Sequence, residues 1–254
     1  YTFASQFDND LLPFPVYVAS SIGLVNNFPA GREAVYTQNF TYSGGYYDAV
    51  EREFRGFSKV KSLDPITNNY TETYFYQGKA GQDGALKGQI EKIIAYDGTG
   101  KKISEALNTY EVKKGGSGPN QLGFPSVPEQ TTTVWEENKS HLTTKVFYTY
   151  DNIGNVIEEK NDIGVVKDIN GNTIISDTGK EQSTQTIYQE AYELGYNRPI
   201  EVTLKDNRNA IISKKTFEYD ERGNLIKDTI GCYNPLTKEE KNISTNYTYD
   251  SFGN

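Results

Sequence analysis

One histidine, one cysteine and no methionine occur among 254 residues. A metal centre of imidazoles and thiolates needs several such ligands, so His141 and Cys232 alone exclude one. The same count excludes a disulfide framework, because a single cysteine pairs only between chains. No apolar run approaches the ~20 residues of a membrane-spanning helix; the nearest, Pro13 to Val25, is short and broken by Ser and Gly. Basic charge is scarce too, with 26 Lys+Arg against 34 Asp+Glu and a formal net charge of −8. A nucleic-acid binder needs a basic face, so nucleic acid is not an expected partner. Without Met at position 1 the chain is expected to be an excised piece, and targeting signals are not read from it.

What is abundant is aromatic. The 20 Tyr, 12 Phe and 1 Trp make up 13% of the residues, while mean hydropathy is only −0.68. Tyr joins an apolar ring to a wet hydroxyl and suits half-buried sheet faces, so a folded β protein is expected rather than a disordered one.

Four stretches share one pattern. They are Ile94-Ala-Tyr-Asp-Gly-Thr-Gly-Lys101, Tyr148-Thr-Tyr-Asp-Asn-Ile-Gly-Asn155, Phe217-Glu-Tyr-Asp-Glu-Arg-Gly-Asn224 and Tyr247-Thr-Tyr-Asp-Ser-Phe-Gly-Asn254. Apolar residues two apart lie on one face of a strand. Asp then opens a turn through its side chain and Gly supplies the positive-φ position. Tyr96, Asp97 and Gly100 carry the first turn; Tyr150, Asp151, Gly154 and Asn155 the second; Tyr219, Asp220, Gly223 and Asn224 the third; Tyr249, Asp250, Gly253 and Asn254 the fourth. A second alternating run follows the turn, so each unit is a β-hairpin. The intervals are irregular and carry turn signals of their own, including Asp168-Ile-Asn-Gly-Asn172. The fold class is therefore all-β, a meander of antiparallel hairpins.

The first third reads the same way: Tyr36 to Tyr42 and Tyr70 to Tyr76 alternate and end in glycine. Gln185 to Leu194 fits a helix and a strand about equally. The Gly- and Pro-rich run from Lys113, with Pro125 and Pro128, divides residues 1–112 from 131–254, with 113–130 as loop or linker.

The Tyr-Asp-x-x-Gly-Asn units resemble the YD repeats of Rhs proteins. The segment Tyr42-Ser-Gly-Gly-Tyr-Tyr-Asp-Ala-Val-Glu-Arg-Glu-Phe-Arg-Gly-Phe57 is similar to the stretch after the propeller in the B component of bacterial insecticidal toxin complexes (SpvB/TcdB-like proteins). Phe14 to Ile22 and Thr73-Tyr-Phe-Tyr-Gln-Gly78 sit where that family places them, and the resemblance runs from about Leu12 to the end. It implies a curved, open section of a hollow β-shell that encloses a toxic polypeptide before delivery. It also implies secretion or display on a bacterial surface. The partners would be the remaining Rhs repeats and a C-terminal toxin of the same or a partner chain. The Asp-Pro-x-Gly motif of the self-cleaving core is not found, nor is an effector domain.

Several short motifs carry partial chemical signals. Gly98-Thr-Gly-Lys-Lys102 is similar to the end of a phosphate-binding loop, but Ala95 stands where its first Gly belongs and Lys102 replaces Ser/Thr. Asp168, Asn170 and Asn172 alternate like calcium ligands, yet Gly171 falls one place early. His141 lies in a polar stretch without a convergent nucleophile. Among many acids no glycosidase-like pair stands out. In Glu51, Arg52, Glu53, Phe54, Arg55, Gly56 and Phe57, period 2 puts Glu51, Glu53, Arg55 and Phe57 on one face and Arg52, Phe54 and Gly56 on the other. Arginine forks there could grip a carboxylate partner; cross-strand ion pairs that fix register are the favoured use. Tyr46, Tyr47, Tyr74 and Tyr76 invite sugar stacking, with sheet packing favoured. Five Asn-x-Ser/Thr sequons, at Asn39, Asn69, Asn138, Asn242 and Asn246, follow from composition.

A non-enzymatic structural segment without cofactor is the reading these residues support. The alternatives are a carbohydrate- or surface-binding β module and a carbohydrate-active enzyme with a carboxylate pair. A free strand edge is expected at Tyr247–Asp250, open to edge-to-edge pairing with a second copy.

Overall fold

The computed structural model describes all residues except 10–11, 26–34, 80, 116–121, 137–139, 169, 176–180, 190–196, 234–236, 238–239 and 251–254. Gly253 and Asn254, the centre of the proposed linker and the end of the Gln185–Leu194 run lie outside the described residues.

The strands are β1 (Thr2–Phe3), β2 (Tyr17–Val18), β3 (Ser21–Val25), β4 (Val35–Asp48), β5 (Glu53–Leu63), β6 (Tyr70–Phe75), β7 (Ile90–Tyr96), β8 (Lys102–Gly115), β9 (Leu122–Trp135), β10 (His141–Tyr150), β11 (Val156–Lys167), β12 (Thr173–Ile175), β13 (Gln182–Tyr188), β14 (Pro199–Asp206), β15 (Ile211–Tyr219), β16 (Leu225–Tyr233) and β17 (Glu240–Asn246). Helical conformation among the described residues is confined to two 3₁₀ turns, Ala4–Gln6 and Gly84–Leu86. Gln185–Tyr188, where helix and strand were both open, is strand. The all-β meander read from the sequence is the fold.

The chain divides into two compact units, residues 1–143 with 166–174, and 144–165 with 175–254. In the first, β3 to β9 hydrogen-bond in chain order; in the second, β10, β11 and β13 to β17 do so. The neighbouring strands pair antiparallel, as short hairpin connections require. In neither unit does the last strand return to the first, so each sheet is open. β8 and β9 pair from Ser104↔Val134 to Gly115↔Leu122, so strand pairing continues up to the Gly-rich run on both sides.

Few side chains are dry. Among the described residues the buried apolar ones are Ala4, Val18 and Ile94, while Asn9, Gln77, Ser126, Thr203 and Asp228 are buried and polar. Half-buried strand positions are instead covered by long neighbours whose stems lie along the sheet. On one face of the first unit Tyr70 stacks on Tyr96 at 4.6 Å, Lys61 sits 3.6 Å from the Tyr70 ring centre, and Lys92 sits 4.6 Å from that of Tyr74. The Tyr-rich composition thus does the covering that Leu and Ile do in a two-layer core.

Candidate functional site

The segment 42–57 builds a buried polar node. Strands β4 and β5 are paired normally from Asn39↔Leu63 to Ser43↔Lys59, then the register shifts between Gly45 and Tyr47. Gly44 (φ +66°) and Gly56 (φ +76°) adopt the left-handed conformation at this irregularity. A bulge leaves ladder groups unpaired, and two side-chain amides take them up. Gln77, 1% exposed, donates from Nε2 to the carbonyls of Gly44 (2.8 Å) and Gly56 (2.9 Å). From the opposite side Asn9 accepts from the Gly45 N–H (2.7 Å) and donates to the carbonyls of Ala4 and Tyr42.

Arg55 closes the node. Its guanidinium pairs with Asp48 at 2.9 Å, donates to the Gly78 carbonyl and lies 3.8 Å from Glu53, with 10% of the side chain exposed. Asp48 also accepts from the N–H groups of Val50 (2.9 Å) and Glu51 (3.0 Å). Those bonds, that to Glu51 first, hold its carboxyl below the usual range against the opposing effect of burial, with Arg55 adding to the same side. Arg52, by contrast, is an exposed turn residue at φ +53°.

The bulge corrects the face assignment made from period 2. Phe54 and Phe57 were placed on opposite faces; their ring centres lie 5.5 Å apart on the same one. Gly56 inserts an extra residue, so the alternation flips there. The two rings continue an aromatic series in which Phe14 meets Tyr47 at 5.1 Å, Phe57 meets Tyr42 at 5.0 Å, and Tyr42 meets Phe7 at 6.0 Å.

The Tyr-Asp turns share one hydrogen-bond scheme. In Asp151–Asn155 the carboxylate accepts from the N–H groups of Ile153 (3.0 Å) and Asn155 (2.8 Å) and from the Asn155 side chain (2.6 Å), while Gly154 sits at φ +98°. Asp97 and Asp220 repeat it with Lys101 and Asn224 as closing residues. Asp168–Asn172 is the same turn, not a cation loop: Asp168 accepts from Asn170 and Asn172 at 2.8 Å each. Asp206–Ala210 is a fifth copy that sequence reading missed, because Asn209 (φ +66°) stands in the glycine place. Its signal was available, since Asn is the residue that best shares the left-handed region with Gly.

These bonds hold the carboxyls low. For Asp97 the Thr99 hydroxyl dominates and for Asp168 the Asn172 amide. For Asp151 and Asp220 burial pushes upward, but the Asn155 and Asn224 bonds outweigh it.

A second device locks register. The hydroxyls of Tyr110, Tyr188, Tyr219 and Tyr249 donate to the carbonyls of Ile90 (2.8 Å), Val156 (3.2 Å), Pro199 (2.9 Å) and Leu225 (2.9 Å). Each acceptor is the first residue of the neighbouring strand. Of the tyrosines offered for sugar stacking, Tyr47 packs on Phe14, Tyr76 meets Tyr110 at 5.6 Å, and Tyr74 donates to Glu72 at 2.7 Å.

An open cleft of about 570 Å³ in the first unit is lined by Lys101, Lys102, Trp135, His141, Asp168, Asn170 and Gly171. His141 lies 6.1 Å from the Trp135 ring, and Lys102 sits 5.4 Å over that ring while pairing with Glu105. No group of three metal-ligating side chains occurs among the described residues. The carboxylates with displaced titration (Asp48, Asp64, Asp97, Asp151, Asp168, Glu201, Asp220 and Asp228) all move down, the opposite of what a general acid needs.

Against known proteins, residues 3–80 match the family described as the insecticide toxin TcdB middle/N-terminal region. No curated protein matches the chain. Among solved structures, TcdB2-TccC3-TEV aligns with TM-score 0.67 at 12% identity, covering 89% of this chain and 16% of that one. TcdB2-TccC3 without its hypervariable C-terminal region gives the same values. The Tc holotoxin pore of Photorhabdus luminescens aligns with TM-score 0.63 at 11% identity, covering 89% and 16%. The chain therefore spans only a small part of the length of these proteins, and at such identity the likeness establishes the fold. Residues 3–80 are thus similar in sequence to the TcdB middle/N-terminal region, and most of the chain shares its fold with the TcdB2-TccC3 structures.

Proposed function

We propose that the chain is a passive wall segment of an Rhs-type shell, secreted or displayed by a bacterium as a virulence factor, that encloses a toxic polypeptide before delivery. Its partners are the further YD repeats that complete the wall and the C-terminal toxin within. The observation that carries this reading is the fold shared with the TcdB2-TccC3 structures over 89% of the chain. The residues agree with it. In the 42–57 segment Arg55 pairs with Asp48, which also accepts from the N–H groups of Val50 and Glu51, and the repeated Asp turns bind their own N–H groups. Side chains so engaged hold strands in register and turn over no substrate.

The test is protection. In the full-length protein that contains this segment, a C-terminal polypeptide should resist protease until the wall is weakened, for example by Gln77→Ala. A polypeptide that is cut equally fast in the unaltered protein refutes the shell.

A carbohydrate-binding module is the second reading, favoured by Trp135 in the open cleft. Lys102 already occupies part of the ring face on which a sugar would stack. Specific binding on a glycan array, lost in Trp135→Ala, would favour this reading over the shell.

A further inference from the structure

The sheet of the first unit is chemically two-sided. Register alone assigns the sides, because directly opposed residues share a face. Lys59, Lys61, Glu72, Lys92, Glu105 and Glu129 all fall on one face, interleaved with Tyr70, Tyr74 and Tyr96. The other face carries Phe40, Tyr42, Val60, Thr73, Ile93 and Val134, with only Ser, Thr, Ala, Asn and Gln between them. None of these positions is charged; Lys114, opposite Gly123 near the end of β8, falls on the same side by register. Its apolar groups are open: Ile22 is 57% exposed, Leu24 71%, Tyr36 70% and Val134 43%. In the second unit Lys214–Glu201 and Lys227–Glu218 share one face, and Lys215–Asp228 lies on the other.

One end of the uncharged face already carries irregular chain. Along the free edge of β4, Phe40 and Gly44 donate to the carbonyls of Ser20 and Asp8. Phe7 and Phe14 turn their rings over the face, onto Tyr42, Tyr47 and Phe54. The Tyr42 hydroxyl donates to the Ala19 carbonyl. Aromatic contacts and short polar groups thus suffice to seat extended backbone there, without ion pairs.

Resting on the shell reading, we propose that the continuation of this face over β6–β9 is the surface laid against the enclosed, unfolded polypeptide. Charged side chains partition to the face that meets bulk water, where their hydration is retained. A surface of hydroxyls, amides and scattered apolar groups offers an unfolded chain many weak contacts and no fixed charge to trap it. Such a surface retains a chain and still releases it.

Photocrosslinking reads the face directly. In a Cys232→Ser background, Ala106→Cys and Thr73→Cys place a benzophenone-maleimide on the uncharged face, while Leu107→Cys and Thr131→Cys place it on the charged one. The probe is reduced, carboxamidomethylated α-lactalbumin, which cannot fold, added to the whole 254-residue chain. Both positions of the uncharged face should give several-fold more adduct than both of the charged face, with circular dichroism unchanged in all four. Equal yields, or more adduct from 107 and 131, overturn the face assignment and leave the shell reading standing. No adduct from any position removes the polypeptide contact altogether, and the shell reading with it.

Discussion

Asp48 holds Arg55 at 2.9 Å with one carboxylate oxygen and closes the 48–51 turn with the other. One side chain thereby fixes both the turn between β4 and β5 and the arginine that reaches on to the Gly78 carbonyl. The two arginines of the Glu51–Phe57 run are consequently unequal. Arg55→Lys keeps the charge but not the fork, and should destabilise the chain by about 1–3 kcal/mol, the range for buried hydrogen-bonding groups left unmatched. Arg52→Gly relieves a left-handed backbone and should leave stability equal or slightly higher. Urea denaturation of the two variants checks the contrast.

Gln77 should be the most sensitive polar position of the first unit. Gln77→Ala strands the carbonyls of Gly44 and Gly56 in a buried place, at roughly 1–3 kcal/mol each. Gln77→Glu removes the donor while keeping the shape and should be nearly as damaging. A Gln77→Glu protein as stable as the parent by urea denaturation would mean that water satisfies those carbonyls.

These positions also show where sequence reading stops. Strand alternation, the aspartate turns and the positive-φ glycines were legible, because each depends on residues close along the chain. The Gly56 bulge was not, although glycine inside a strand is its usual signal. Missing it put Phe54 and Phe57 on opposite faces. Gln77 and Asn9 were invisible as clamps, since the carbonyls and N–H they satisfy, that of Ala4 apart, lie 21 to 36 residues away and become orphans only after the strands pair. The turn at Asp206 was hidden by a substitution that the backbone tolerates.

The aspartate turns give the fold an acid limit. In the unfolded chain a carboxyl titrates near about 3.9, and in the turns of Asp97, Asp151, Asp168 and Asp220 the folded value lies lower. Their stabilisation is therefore complete above the unfolded value and is lost as pH falls through the folded one. Thermal unfolding followed against pH should show Tm dropping steeply below about pH 4. Asp151→Asn with Asp220→Asn should lower Tm at pH 7 and flatten that drop. An unchanged acid limb would place the proton-linked groups elsewhere.

The tyrosine register locks are separable from ring packing. Tyr219→Phe keeps the ring beside Arg198, 5.4 Å away, and removes only the bond to Pro199. It should cost about 0.5–1.5 kcal/mol. Tyr17→Phe, at a ring 69% exposed, should cost nothing measurable and serves as the control.

The end of the second unit corrects the expectation of a strand through Asp250. β17 stops at Asn246, and residues 247–250 leave the ladder after Tyr247 donates its N–H to Ile226. What holds them is side-chain bonding: the Tyr247 hydroxyl reaches Asp228 at 3.1 Å and the Tyr249 hydroxyl reaches Leu225 at 2.9 Å. β17 pairs with β16 along one side, and among the described residues no strand lies on its other side. Alternate amides of 240–246 should then resist hydrogen exchange while those between them exchange quickly. Tyr249→Phe should speed exchange at Tyr247 without touching β15, because it frees only the segment past the last ladder bond. The unpaired row is also a template for a second copy. If copies pair there, the fast amides of β17 slow as concentration rises; fast exchange that is independent of concentration would show that the edge stays single.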